Sequence, residues 1–148
     1  MTNLNHQISE QLFVQLVFNT RNRIRFAFDE KFKPKGITDA TWRTLFYLRQ
    51  EGNGVNQKEL ARTMGIEGPS LVRLLDNLSD KDLILRKIDS SDRRSKTIHL
   101  SESASKLLTE LDQLALEARQ EILGDIPAKD IQTCIEVFSK ILGRQIHD

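Results

Sequence analysis

The chain has 148 residues, 39% of them hydrophobic and 29% charged, which suits one folded domain, or one domain with long helical extensions. Its single cysteine, Cys134, excludes an internal disulfide and a cysteine-rich zinc site, and its short apolar runs exclude a bilayer-spanning helix. The net charge is only +1, but residues 1–100 hold 17 Lys and Arg against 12 Asp and Glu, whereas residues 101–148 hold 5 against 9, so the basic excess lies where it can face a polyanion. Residues 1–30 carry no charged head followed by an apolar block, so no signal peptide is expected and the chain reads as cytoplasmic.

From residue 4 to about residue 33, Ile8, Leu12, Leu16, Val17, Ile24, Ala27 and Phe28 recur at helical spacing, with Arg21, Arg23 and Arg25 among them. Pro34 and Gly36 break that helix. A helix so long is not expected to bury its whole stripe within one small subunit. Thr38-Asp39-Ala40-Thr41 offers an N-cap for a second helix with Trp42, Leu45, Phe46 and Leu48 on one face, ended by Gly52-Asn53-Gly54.

Gln57 to Leu78 has the pattern of two short crossing helices. Leu60, Ala61 and Met64 face inward on the first, and Gly65 supplies a turn that needs positive φ. Ile66 tucks that turn into the core, and Gly68-Pro69 opens the second helix, where no N–H is required. Leu71, Leu74, Leu75 and Leu78 are its predicted inner face, which leaves Ser70, Arg73 and Asn77 outward. This is a helix-turn-helix pattern, and Arg73 on such a helix can form two parallel bonds to a guanine edge. Two strands follow, Ile84 to Ile88 and Thr97 to Leu100, joined by the polar tip Asp89 to Ser95. A helix-turn-helix backed by a hairpin is a winged helix, whose tip reaches the minor groove beside the recognition helix. Arg93 and Arg94 suit that place, since guanidinium is weakly hydrated and a narrow A·T-rich groove concentrates negative potential. In an extended loop they point opposite ways, so one can enter the groove while the other holds a phosphate or Asp92.

Ser101 caps a further helix with a stripe of Leu107, Leu111, Leu114, Ala118 and Ile122, and Gly124 stops it. Ile126-Pro127 restarts a last helix with Ile131, Cys134, Ile135, Phe138, Ile141 and Leu142 on its apolar side and Lys129, Glu136, Lys140 and Arg144 outside.

Three motifs, "GIEGPSLVRLLDNL", "DRRSKTIHL" and "SESA", together with the Trp42 helix and "EILGDI", make the chain resemble the MarR family of transcription regulators, most closely its SlyA-like branch. Gly68 stands where that branch usually carries Gln. The resemblance implies a mainly α fold with a small β-hairpin wing. Residues 37–100 form the winged helix-turn-helix, and residues 1–36 and 101–148 form a helical region for homodimerisation. It implies a homodimer on double-stranded DNA with a pseudo-palindromic site, Arg94 in the minor groove, Ser70 and Arg73 at work on the recognition helix, and Asp92 fixing the wing. Asn77, Arg93 and Lys96 complete the expected DNA-facing set. Many relatives respond to small aromatic carboxylates, and here Arg21, Arg25, Trp42 and Phe46 offer an apolar wall with guanidinium groups for such an effector, although aromatics at helical spacing also pack simply as core.

Other classes have less support. His6, His99 and His147 are scattered, no metal-ligand spacing or phosphate-cradling loop is visible, and no catalysis or cofactor is expected. His99 on its strand reads as a surface residue. Cys134 reads as a small buried hydrophobe rather than a redox sensor. A winged helix used only for protein contacts is the remaining alternative.

Overall fold

The computed structural model describes residues 4–52 and 54–143. Asn53, Arg144 and His147 lie outside them. The chain divides into two compact units, residues 1–118 and 119–148.

The first unit opens with α1 (Leu4–Phe32), one residue shorter than the sequence suggests, and a 3-10 turn over Lys33–Lys35 in which Pro34 removes a donor and Gly36 adopts φ +66. Only the C-terminal end of α1 is buried, through Ala27, Phe28 and Phe32. Its earlier apolar side chains stay exposed: Ile8, Leu12, Leu16 and Phe18 are each at least 50% accessible. No helix among the described residues is long and apolar enough to cross a membrane.

Helix α2 (Asp39–Glu51) begins at a reciprocal cap. Thr41 N–H donates to Thr38 Oγ1 at 3.2 Å and Thr38 N–H to Thr41 Oγ1 at 2.9 Å, with a threonine in the place Glu or Gln usually takes. Trp42, Leu45 and Leu48 are buried as expected, and Phe46 is half-buried. A short strand β1 (Val55–Asn56) leads to α3 (Gln57–Met64) and α4 (Gly68–Asp80). The hairpin strands are β2 (Ile84–Ile88) and β3 (Lys96–Leu100), and β1 pairs with β3, giving an antiparallel sheet in the order β1-β3-β2. Sequence reading missed β1, because two residues carry no periodicity.

The core of this unit gathers Phe32, Leu45, Leu48, Leu60, Leu71, Leu75, Leu78 and Ile98 against Leu108 and Leu111 of α5 (Glu102–Leu123). Ser101 Oγ accepts from Ala104 N–H at 3.1 Å, the predicted cap. The buried stripe of α5 differs from the expected one. It is Ala104, Leu108, Leu111, Ala115 and Ala118, while Leu107 and Leu114 are half-buried. With Leu107 and Leu108 adjacent, apolarity alone does not fix the register, and the buried Ala104, Ala115 and Ala118 fall on the stripe of Leu108. Leu74 and Ala61 are likewise half-buried rather than fully inside. Arg49 holds Asp112 with two bonds, at 2.8 and 2.9 Å, tying α2 to α5 from the outside.

The second unit holds the end of α5 and α6 (Ala128–Ile141). Gly124 N–H donates to Gln120 O, and a Cβ on Gly124 would lie 2.5 Å from that oxygen, so only glycine fits the turn. The apolar side of α6 is not a buried one. No residue of the helix is buried, and Ile135, Phe138, Ile141 and Leu142 are exposed. Cys134 is exposed too, which corrects its reading as a buried hydrophobe.

Candidate nucleic-acid interface

Asn56 caps α3: its Oδ1 accepts from Lys58 N–H at 2.8 Å. Gly65, at φ +64, ends α3, and its N–H donates to Ala61 and Arg62 carbonyls, as the turn of a helix-turn-helix requires. Pro69 lies in the first turn of α4, and Leu71, Leu75 and Leu78 bury the inner face. The outer face carries Ser70, Arg73 and Asn77, all exposed. The N-cap of α4, Glu67, makes no side-chain capping bond, so the positive end of the helix dipole and its first N–H groups are open to an anion.

The wing tip is shaped by two carboxylates. Asp89 accepts from Ser91 N–H at 2.9 Å and from Ser91 Oγ at 2.8 Å, and these bonds hold its carboxyl below the usual range. Asp89 N–H donates to Ser95 O at 3.0 Å and closes the hairpin. Asp92 accepts from Arg94 N–H at 2.9 Å, and Ser95 N–H donates to Asp92 O at 3.0 Å. Arg93 and Arg94 are therefore the central pair of a tight turn, not neighbours in an extended loop, and the expectation of opposite pointing does not apply. Asp92 also spends its carboxylate on a main-chain N–H rather than on an arginine head. Both guanidinium groups are exposed and make no hydrogen bond or ion pair among the described residues, and Lys96 is exposed at the start of β3.

Two ties that the sequence did not reveal hold the wing to the helices. Asn56 Nδ2 donates to Ser95 Oγ at 2.5 Å, so the residue that caps α3 also reaches the wing. Arg86 on β2 donates to Asp76 on α4 at 2.7 Å. The first had a partial sequence signal, since Asn56 with Glu59 three residues on is a helix-start signature. The partners, 39 and 10 positions apart, had none. His99 is half-buried, with Nε2 2.9 Å from Thr97 Oγ1, and its ring lies over Gly54, where a Cβ would come within 3.2 Å.

The proposed effector residues are only partly together. Trp42 stacks with Phe28, Phe32 and Phe46 at centroid distances of 5.1, 5.3 and 5.4 Å, and is 8% exposed, so it is core. Its Nε1–H is nevertheless buried without a partner. Arg21 and Arg25 are exposed on α1. Near them, burial raises the Asp39 carboxyl above its ordinary value, with Arg43 as the main opposing charge and Arg25 a weaker one. Among the described residues no group of three or more His, Cys, Asp or Glu could hold a metal ion.

Residues 35–95, from the 3-10 turn after α1 to the wing tip, match the model of the MarR family. The chain is similar to the transcriptional regulator PA3341, at 32% identity over 88% of this chain and 96% of that one, with a TM-score of 0.79. It is similar to MepR of S. aureus solved with DNA, at 27% identity over 88% and 96%, TM-score 0.78. A cysteine-to-serine mutant of MarR from E. coli, solved with operator DNA, shares the fold at 21% identity over 95% and 99%, TM-score 0.83.

Proposed function

This chain belongs to the MarR family of transcriptional regulators, and from that membership we propose that it binds a pseudo-palindromic operator as a homodimer. Each subunit places α4 in the major groove and the wing in the adjacent minor groove. Ser70, Arg73 and Asn77 face base edges and phosphates, Arg94 enters the minor groove, and Arg93 and Lys96 hold its flanking phosphates. Asp92 positions Arg94 by its bond to the main chain.

The observation that carries this reading is the wing tip. Two acids sit beside two arginines, yet both acids are engaged by N–H groups, so the guanidinium charge is left for an outside anion. The dimer is supported by apolar surface. Exposed stripes on α1 and α6, in residues 1–36 and 101–148, exceed what a monomer leaves in water, and a second copy covers them. Residues 37–100 then act as the DNA-binding part. The motifs of the recognition helix and wing favour the SlyA-like branch. An aromatic carboxylate is the effector class that suits the Phe46 ring and the exposed Arg21 and Arg25 side chains, with Trp42 packed behind Phe46 as core.

The test is selection of bound fragments from genomic DNA, followed by titration of the enriched duplex at several salt concentrations. The reading expects one enriched motif with two-fold symmetry and an affinity that falls steeply with salt. No enrichment, or an affinity indifferent to salt, would instead indicate a winged helix that serves protein contacts.

A further inference from the structure

Arg86 lies in the middle of β2, opposite Ile98 of β3, so its side chain is on the sheet face that the core covers. That side chain is only 26% exposed. Its Nη2 donates to Asp76 Oδ1 at 2.7 Å, and its Nε–H is buried with no partner. A guanidinium so placed costs free energy unless an acid holds it, and the acid here is on α4. Asp76 follows Arg73 by three positions and precedes Asn77, so it shares their outward side of the helix. An unneutralised carboxylate there would repel a DNA backbone.

We propose that Arg86 is a positioning residue for DNA recognition: through Asp76 it fastens the wing's first strand to the recognition helix, so that the two groove-entering parts move as one body, and it cancels an acid on the DNA-facing side. This rests on the DNA reading above. The wing is otherwise held by strand pairing and by Asn56 at Ser95, neither of which reaches α4. At its start β2 is fixed to α4 by Leu83 N–H donating to Leu78 O at 2.9 Å and by buried Ile84; the Arg86–Asp76 bond adds a side-chain tie further along the strand, toward the wing tip.

Two readouts separate this role from a direct phosphate contact. The first needs no DNA. Trypsin cuts after Arg93 and Arg94, so the cleavage rate at the tip reports how firmly the wing is held. Arg86→Gln and Asp76→Asn should each speed that cleavage several-fold, and Arg86→Lys, which keeps a charged donor for a single-bond partner, should restore slow cleavage. The second is operator titration. Arg86→Gln should weaken operator binding roughly tenfold, and adding Asp76→Asn should recover part of the loss, because the exposed acid goes with it. The slope of log affinity against log salt should stay as in the unmodified chain.

Unchanged cleavage and affinity would overturn the proposal. So would a salt slope reduced by about one with no recovery in the double variant, the signature of a phosphate contact. If Arg86→Gln does not fold, Asp76→Asn, at an exposed position, carries the cleavage test alone. If the unmodified chain selects no duplex, the DNA reading and the positioning role fall together, and the cleavage ratio still decides whether the pair holds the wing.

Discussion

Arg94 and Arg93 differ in what holds them, and that difference sets their expected roles. The main-chain N–H of Arg94 is fixed by Asp92 at 2.9 Å, which holds the backbone from which its side chain leaves the turn. Arg94→Ala is expected to weaken specific operator binding by at least about 1 kcal/mol, measured by anisotropy against the selected duplex. An unchanged affinity would remove the wing from the interface. Arg73 sits on the exposed side of α4, and Arg73→Ala should relax discrimination between related sites rather than weaken all of them equally. An equal loss on every sequence would make it a phosphate contact. The arginine pair and its acidic neighbours were legible in "DSSDRR", because the residue types suffice to mark a polar tip. The turn that joins Asp92 to Ser95 was not, since Ser, Asp and Arg tolerate both extended and turn conformations.

Individual helices were readable wherever a residue does something few others can. Gly65 is one such place: at φ +64 no atom lies within 4 Å of an added Cβ, so the cost of a side chain there is conformational alone. Gly65→Ala should lower stability by about 1–2 kcal/mol, seen as a lower urea midpoint at constant slope. An unchanged midpoint would mean that the turn between α3 and α4 adapts. The junction of α1 and α2 makes a pH prediction. Asp39 N–H donates to Asp29 Oδ1 at 2.7 Å, and Asp39 Oδ2 holds Arg43 at 3.1 Å. Burial still raises the Asp39 carboxyl above its usual 3.8. The folded chain therefore binds the proton more tightly than the unfolded one. The Asp39 contribution to stability is present below 3.8 and is lost as pH rises through the raised value. Asp39→Asn should flatten that part of the stability curve, and an undiminished slope in the variant would place the titration elsewhere. In α5, by contrast, the sequence pattern failed by one position. Leu107 and Leu108 both fit a stripe, and Leu108 is the one buried, together with Ala104, Ala115 and Ala118. The same limit applies to β1 and to the Arg86–Asp76 bond, which exist because distant segments meet.

The whole molecule is best understood through its uncovered surfaces. A chain that leaves Ile8, Leu12, Leu16 and Phe18 exposed along one helix, and Ile135, Phe138, Ile141 and Leu142 along another, keeps apolar area that association removes from water. Burying one such side chain contributes at most about 1.5–3 kcal/mol, and association costs on the order of 4–15 kcal/mol, so a stable dimer needs most of both stripes. The sequence already hinted at this, because α1 and α6 carry more apolar surface than one subunit needs. Light scattering at micromolar concentration should give twice the chain mass, and Leu12→Asp together with Phe138→Asp should give the single mass. A monomeric unmodified chain would break the architecture. The most direct measurement is a hydroxyl-radical footprint of the chain on its selected duplex. Paired subunits with a helix and a wing each predict two symmetric protected half-sites, centred about one helical turn, roughly 34 Å, apart, with minor-groove protection at their flanks that disappears in Arg94→Ala. A single asymmetric footprint, or flank protection that survives the loss of Arg94, would contradict it.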